Sequence, residues 1–351
     1  DLMAGIDHAS ARIQAGLEAL AESIRTRPAL VQAINELEPA LFLWRLPLLP
    51  DGLAFAGEFA AFLDRYGCRE LYYGGPSWGE APEAVVGILR SLLTAEVGGD
   101  GAADASAGQD PGARFGRASR QAEAALPFLL RPLFRRLLHL VRSGEAFMEE
   151  SHWQLNRPIP VMRAAARELG RRLARRGLLP DAADVFYLIP TEIAELVRGS
   201  TTEGVGPLIA RRKRRLEAAR RKGTLVPMQY LPGAGGGDVL KGVPVGCGQV
   251  TARVRVIRSE ADFGRLRRGE VLVAPYTNPA WTPLFSLASA VVVDTGGAAS
   301  HAAIVAREYA IPAVMGTRTA TTALTDGDLV QVDGMAGTVR IVQRAGQRKE
   351  R

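Results

Sequence analysis

The sequence predicts a mainly helical N-terminal region followed by a smaller α/β region. Three observations carry that expectation. Up to about residue 237, apolar residues recur with the 3.6-residue period of amphipathic helices. Beyond it they alternate, or come in short Val-rich runs of strand length. Between the two lies Pro232-Gly233-Ala234-Gly235-Gly236-Gly237-Asp238, whose four glycines read as a flexible tether. The expected organisation is a helical region over 1–231, a Gly-rich tether over 232–237 and an α/β domain over 238–345.

Leu17, Leu20, Ile24 and Leu30 fall on one helical face and read as a single amphipathic stretch. Phe55, Phe59, Phe62 and Leu63 mark a second helix, with Tyr66-Gly67 as its stop. Val85 to Leu93 is a third. Gly98 to Gly112 is rich in Gly, Ala, Asp and Ser and reads as a surface loop. Helical pattern resumes near Arg117, with breaks expected at Pro127 and Pro132 and again at Pro158 and Pro160. Val161 to Arg176 is an Ala/Leu/Arg helix stopped by Gly177. Val185-Phe186-Tyr187-Leu188 is a short buried segment, and Thr191 the expected N-cap of the helix after it. In the second region, Val250–Ile257, Val271–Val273, Ala290–Val293 and Ala313–Met315 read as strands, and Ser300–Tyr309 as a helix. Leu329–Val332 and Thr338–Val342 form a hairpin around Asp333-Gly334.

The chain has 351 residues, enough for two or three domains. Its 47% hydrophobic and 23% charged composition is that of a folded globular protein. The net charge of +7 is concentrated in Arg211–Arg215 and Arg220–Lys222. No aromatic residues interleave with that run and no nucleic-acid motif accompanies it, so it reads as a solvated helix face and no nucleic-acid partner is expected. Cys68 and Cys247 lie far apart and form no CxxC pair, which fits a reducing cytoplasm better than a disulfide scaffold or zinc site. No metal site is expected on the chain. The longest apolar run, around Leu287–Val293, is far short of the ~20 residues a membrane span needs, so no membrane partner is expected.

Of the four histidines, His8, His139 and His152 read as structural. His301 differs. In Asp294-Thr295-Gly296-Gly297-Ala298-Ala299-Ser300-His301-Ala302-Ala303-Ile304-Val305-Ala306-Arg307-Glu308 a strand ends in a Gly-Gly turn, Ser300 is a good N-cap, and His301 takes the first helical position. Backbone N–H groups are unpaired there and the helix dipole is positive. The glycines let backbone and a large ligand approach closely. The setting suits a histidine that accepts and returns a phosphoryl group. It equally suits an ordinary Ser-capped helix whose first residue is His.

The segment Thr-Gly-Gly-x-x-Ser-His-Ala-Ala-Ile-Val-Ala-Arg-Glu resembles the phosphohistidine signature of the phosphoenolpyruvate-utilising enzyme family. The resemblance extends upstream through Gly242–Ile257 and Val271–Phe285, and downstream through Ile311-Pro312-Ala313-Val314 and Asp326–Gly337. It implies that 238–345 is a swivelling β/β/α phosphohistidine domain and that His301 is the catalytic residue. It implies further that Thr295, Gly296, Gly297 and Ser300 bind the phosphate, with Arg307 a further candidate contact. Gly177-Leu178-Leu179 and Asp184–Leu188 with Glu192 are similar to the segment that leads into this domain in phosphoenolpyruvate synthase-like proteins and rifampicin phosphotransferases. Tyr66–Arg69 and Pro76–Glu80 resemble a motif of the latter's helical acceptor domain, with Ser77 where the family tends to place Arg. At Ala299 the chain lacks the regulatory Thr of pyruvate phosphate dikinase.

Neither a Gly-rich nucleotide loop with its Lys nor anything resembling an ATP-grasp domain is present, so ATP and Mg²⁺ are expected on a partner domain or subunit and no cofactor on this chain. The order helices, then histidine domain, is similar to the C-terminal half of rifampicin phosphotransferase. The implied function is that of a cytoplasmic phosphotransferase component: His301 carries a phosphoryl group from an ATP-grasp partner to a small-molecule hydroxyl acceptor held by the helical region. Two alternatives are a phosphohistidine subunit of a phosphoenolpyruvate synthase-like or biosynthetic dehydratase or condensing enzyme, and a non-catalytic carrier or scaffold. Trp44, Trp78 and Trp153 are available to line an apolar acceptor cavity or simply to fill the core.

Overall fold

The computed structural model describes residues 2, 5–7, 9–71, 75–94, 111–199, 205–222, 238–246, 248–298 and 300–346. The expected tether at 232–237, residues 98–110 of the expected loop, His8, Cys247 and Ala299 lie outside the described residues. The chain divides into two compact units, Asp1–Gln154 with Leu231–Arg351, and Leu155–Tyr230. That grouping differs from the division expected at residue 231. Its physical reason is a shared core: Trp281, Phe285 and Phe263 from the strand-rich segment join Phe55, Phe62, Trp78 and Ile88 from the helices in one apolar cluster.

In the first unit, α1 (Ala9–Arg25) and α2 (Pro28–Glu36) replace the single stretch expected over Leu17–Leu30. The helix restarts because Pro28, lacking an N–H, sits at the first helical position, where that donor has no intrahelical partner. They are followed by α3 (Pro39–Arg45), α4 (Gly52–Tyr66) and α5 (Glu83–Thr94). Every residue of α5 from Ala84 to Leu93 except Arg90 is buried, and α1, α2 and α3 all pack against this helix. Next come α6 (Pro111–Ala124), which takes in the last two residues of the expected loop, and α7 (Arg131–Asn156). Pro127 breaks the chain between them as expected, whereas Pro132 lies in the first turn of α7 and breaks nothing.

The strand-rich part contains β1 (Val239–Lys241), β2 (Val243–Val245), β3 (Gln249–Val256), β4 (Val271–Ala274), β5 (Ala290–Val293), β6 (Ala313–Met315), β7 (Leu329–Asp333) and β8 (Thr338–Gln343). They form one sheet in the order β1-β8-β7-β3-β4-β5-β6-β2. The first half of β3 pairs antiparallel with β7 and its end pairs parallel with β4. β1 and β2 are consecutive in sequence yet occupy opposite ends of that order, so the sheet curls until its edges meet at Gly242. A Cβ there would lie 2.3 Å from the Met315 carbonyl oxygen, which only glycine avoids. β4, β5 and β6 are buried along their whole length, as continuous Val-rich parallel strands must be. The hairpin turn forms where Asp333-Gly334 predicts it, with the Asp333 carboxylate accepting from the Met335 and Ala336 N–H groups. The short strands β1 and β2 were not separately legible.

The second unit holds α8 (Ile159–Arg175), α9 (Pro190–Arg198) and α10 (Gly206–Lys222) around Leu173, Leu179, Val185, Leu188, Leu196 and Ile209. Gly177 adopts φ +73° after α8, the left-handed stop its sequence predicts. α9 is capped differently from expectation. Thr191 lies inside the helix, Pro190 opens it, and the Glu192 carboxylate accepts from the Ile189 N–H. On α10, Arg212 pairs with Glu192, and Lys213 with Asp184. Among the described residues no helix is long and apolar enough to cross a membrane.

Candidate functional site

His301 begins α12 (His301–Glu308), a helix whose N-cap Ser300 accepts from the Ala303 N–H. The Gly-Gly turn that precedes it is required by conformation: Gly296 has φ +100°, and a Cβ there would stand 2.9 Å from Ser300 Oγ. The buried face of α12 is Ala302, Ala303, Val305 and Ala306. These small side chains let the helix lie close to its neighbours, so the imidazole is only 15% exposed.

Two groups face the ring. The first comes from the loop after β4. Asn278 caps a short turn by accepting from the Ala280 N–H at 2.8 Å, and its amide donates to the Leu71 carbonyl. That turn delivers α11 (Thr282–Phe285) with Thr282 buried, its Oγ1 3.2 Å from His301 Nε2. The second comes from α7, whose Glu149 and Trp153 are one turn apart and both buried. Glu149 Oε1 stands 3.8 Å from His301 Nδ1, an ion-pair separation.

Glu149 is itself held. Ser10 Oγ donates to its Oε2 at 2.7 Å, and Arg69 Nη2 donates to Ser10 Oγ at 2.7 Å. Arg69 is 2% exposed, and its Nε has no hydrogen-bond partner among the described residues. Burial pulls this guanidinium down to about 10, against the charge of Glu149 that raises it, so it stays cationic at neutral pH. For Glu149, burial pushes upward, but His301, the Ser10 hydroxyl and Arg69 together outweigh it and hold the carboxyl at about 2. His152 belongs to the same electrostatic cluster. Burial and then the charge of Arg69 push its imidazole below the ordinary range, with Glu149 opposing.

The residues expected around the phosphate line the approach to α12, and their polar side chains are engaged elsewhere. The Thr295 hydroxyl donates to the Pro275 carbonyl at 3.0 Å, Ser300 caps its helix, and Arg307 donates to the Ala298 carbonyl at 2.7 Å. A Cβ on Gly297 would meet nothing within 4 Å, so the turn is open on that side. Sequence reasoning missed Glu149, Ser10 and Arg69 as partners of His301. Glu149 and Ser10 lie on different helices and Arg69 in the segment after α4, and only the fold brings them together. Of the three tryptophans considered for an acceptor cavity, Trp78 is core against Phe62, Trp153 packs on Tyr66, and Trp44 is 70% exposed. α7 leaves Leu133, Leu137, Leu140 and Met148 exposed. Among the described residues no three His, Cys, Asp or Glu side chains come together as metal ligands.

Comparison with known proteins gives two family matches and three similar relatives. Residues 266–337 match the mobile domain of phosphoenolpyruvate-utilising enzymes, and residues 1–168 match the fourth domain of rifampicin phosphotransferase. The chain is 32% identical to a rifampicin phosphotransferase of a Streptomyces species over 93% of its own length and 39% of that protein's. It is 30% identical to the rifampicin phosphotransferase of Streptomyces sviceus over 92% of this chain and 38% of that one. Over 104 residues it is 50% identical to the uncharacterized phosphotransferase YvkC of Bacillus subtilis, covering 30% of this chain and 12% of that protein. The chain thus spans about two fifths of the length of the rifampicin phosphotransferases it matches.

Proposed function

Because the chain belongs to the phosphoenolpyruvate-utilising enzyme family, we propose that it is a phosphotransferase component in which His301 carries a phosphoryl group. The group comes from ATP, held with Mg²⁺ by an ATP-grasp domain or subunit, and goes to a hydroxyl compound held by the helical segment. The observation that carries this reading is the docking of His301. The imidazole sits at the positive end of a Ser-capped helix and is simultaneously faced by a carboxylate from α7, so the histidine is already seated on the helices expected to hold the acceptor.

In this reading the phosphoryl group on His301 lies beside the open Gly296-Gly297 turn and the first N–H groups of α12, with Thr295 and Ser300 shaping the loop and Arg307 bracing it from Ala298. Two reaction sites must share one histidine, so the 238–345 segment travels between them. The exposed apolar side chains of α7 favour a bulky, largely apolar acceptor over a small keto acid. The names of the relatives make rifampicin the reference compound. The reading places the chain in the cytoplasm, where ATP is supplied.

The test is reconstitution with an ATP-grasp polypeptide, ATP and Mg²⁺. Phosphorylated rifampicin is expected with wild-type chain and none with His301→Ala. Formation of phosphoenolpyruvate from pyruvate by the same mixture, with no further subunit, would overturn the acceptor assignment.

A further inference from the structure

We infer that Glu149 is a positioning residue for His301: its carboxylate fixes the imidazole with the proton on Nδ1, leaving Nε2 to take up and release the phosphoryl group. The inference rests on the reading of His301 as the carrier.

One neighbour demands this tautomer and the other is compatible with it. A carboxylate can only accept, and Glu149 Oε1 faces Nδ1. A hydroxyl can donate, and Thr282 Oγ1 lies 3.2 Å from Nε2. The arrangement Nδ1–H toward Glu149 and Thr282 O–H toward Nε2 satisfies both, whereas the opposite tautomer, which the Thr282 hydroxyl could still meet as an acceptor, sets the bare Nδ1 lone pair against the Glu149 carboxylate. The 3.8 Å separation at Nδ1 is within ion-pair reach and longer than a hydrogen bond, as catalytic contacts are before the reacting complex forms. The carboxylate is not free to swing away, because Ser10 holds its other oxygen and the buried Arg69 holds Ser10. The charged and titratable groups facing the pair are Arg69 from the segment after α4 and His152 from α7. With its carboxyl held at about 2, Glu149 is an anionic acceptor throughout the neutral range.

The chemical consequence concerns the leaving group. In the transfer step the P–Nε2 bond breaks and its electron pair returns to Nε2, while a P–O bond forms to the acceptor oxygen. The acceptor's hydroxyl proton ends on Nε2. With Nδ1 protonated, the departing ring is neutral imidazole before it takes that proton. With Nδ1 bare it would depart as imidazolate, a far poorer leaving group. Holding the Nδ1 proton is therefore a device for discharging the carrier.

The test uses the full chain with ¹⁵N-labelled histidine and phosphoramidate as phosphoryl donor, with His301→Ala assigning the His301 signals. Wild-type chain is expected to show the Nδ1–H tautomer before labelling and phosphorus on Nε2 after it. Glu149→Gln keeps the shape and removes the charge. It is expected to slow discharge to water about tenfold at pH 7 and to move the fall in discharge rate to lower pH, and Glu149→Asp should restore most of both. A purely structural role would lower stability without moving the pH profile. An Nε2–H tautomer in wild-type chain, or an unmoved profile in Glu149→Gln, overturns the inference. Should Glu149→Gln not fold, the wild-type tautomer still decides it. Should phosphoramidate leave His301 unlabelled, the carrier reading fails while the tautomer still reports on Glu149.

Discussion

The strand-rich segment and α7 treat apolar side chains in opposite ways. β4, β5 and β6 bury every residue, and Trp281 beside them is fully enclosed against Phe263 at 4.9 Å. α7 buries little beyond Glu149, Trp153 and Asn156 and leaves leucines in solvent along much of its length. The strand-rich segment fills a core that it shares with the helices through Phe263, Trp281 and Phe285. The buried face of the helix carries one carboxylate, one indole and one amide. Its exposed leucines are then surface available for binding, and the burial of Glu149 needs a cause other than core formation.

The largest expected effect lies on the packed side of that contrast. Trp281→Ala empties a site shared by the sheet and the helices and should cost about 3–5 kcal/mol, read as a lower denaturation midpoint. A loss under about 1 kcal/mol would show that the two segments do not share a core. Arg69→Met comes next. It removes the cation that stands behind Ser10 and leaves the Glu149 carboxylate buried without it, at a cost of about 3 kcal/mol. Equal stability of this variant and wild-type protein would mean that the cluster is not electrostatically organised.

A third effect is pH-dependent. Glu149 titrates at about 2 in the folded chain against 4.5 as its ordinary value, so the unfolded state binds the proton more readily. The stability it contributes is complete above about pH 4.5 and is lost as pH falls toward 2. Denaturation of wild-type and Glu149→Gln chains across pH 7 to 2 should show a gap that closes in that window. A gap constant over the whole range contradicts the assignment. The smallest effect is on α7's open face: Leu137, 51% exposed, should tolerate Ser within about 0.5 kcal/mol while weakening binding of an apolar acceptor.

What the sequence made legible follows the same contrast. The strands β3 to β8 and α12 are marked locally, by Val runs, Asp333-Gly334, the Gly296-Gly297 turn and Ser300, and they form where those signals stand. The single stretch expected over Leu17–Leu30 and the expected N-cap at Thr191 failed because Pro28 and Pro190 each open a helix of their own. His301 was legible as a candidate because its signal is a short contiguous motif. Glu149 was not, because an acidic residue on a helix reads as a solvated charge until Ser10, 139 residues away, is brought to it together with Arg69, which lies 59 residues from Ser10. Trp44 shows the converse: an aromatic residue available for a cavity stands on the surface.

The measurement that reaches the central claim most directly is to locate the phosphoryl group itself. The chain, incubated with an ATP-grasp polypeptide and ATP, is digested at alkaline pH and its peptides are read by mass spectrometry. The account predicts one acid-labile, base-stable phosphoryl group on His301, absent from His301→Ala. Label that persists in His301→Ala, or that resides on His8, His139 or His152, would contradict it.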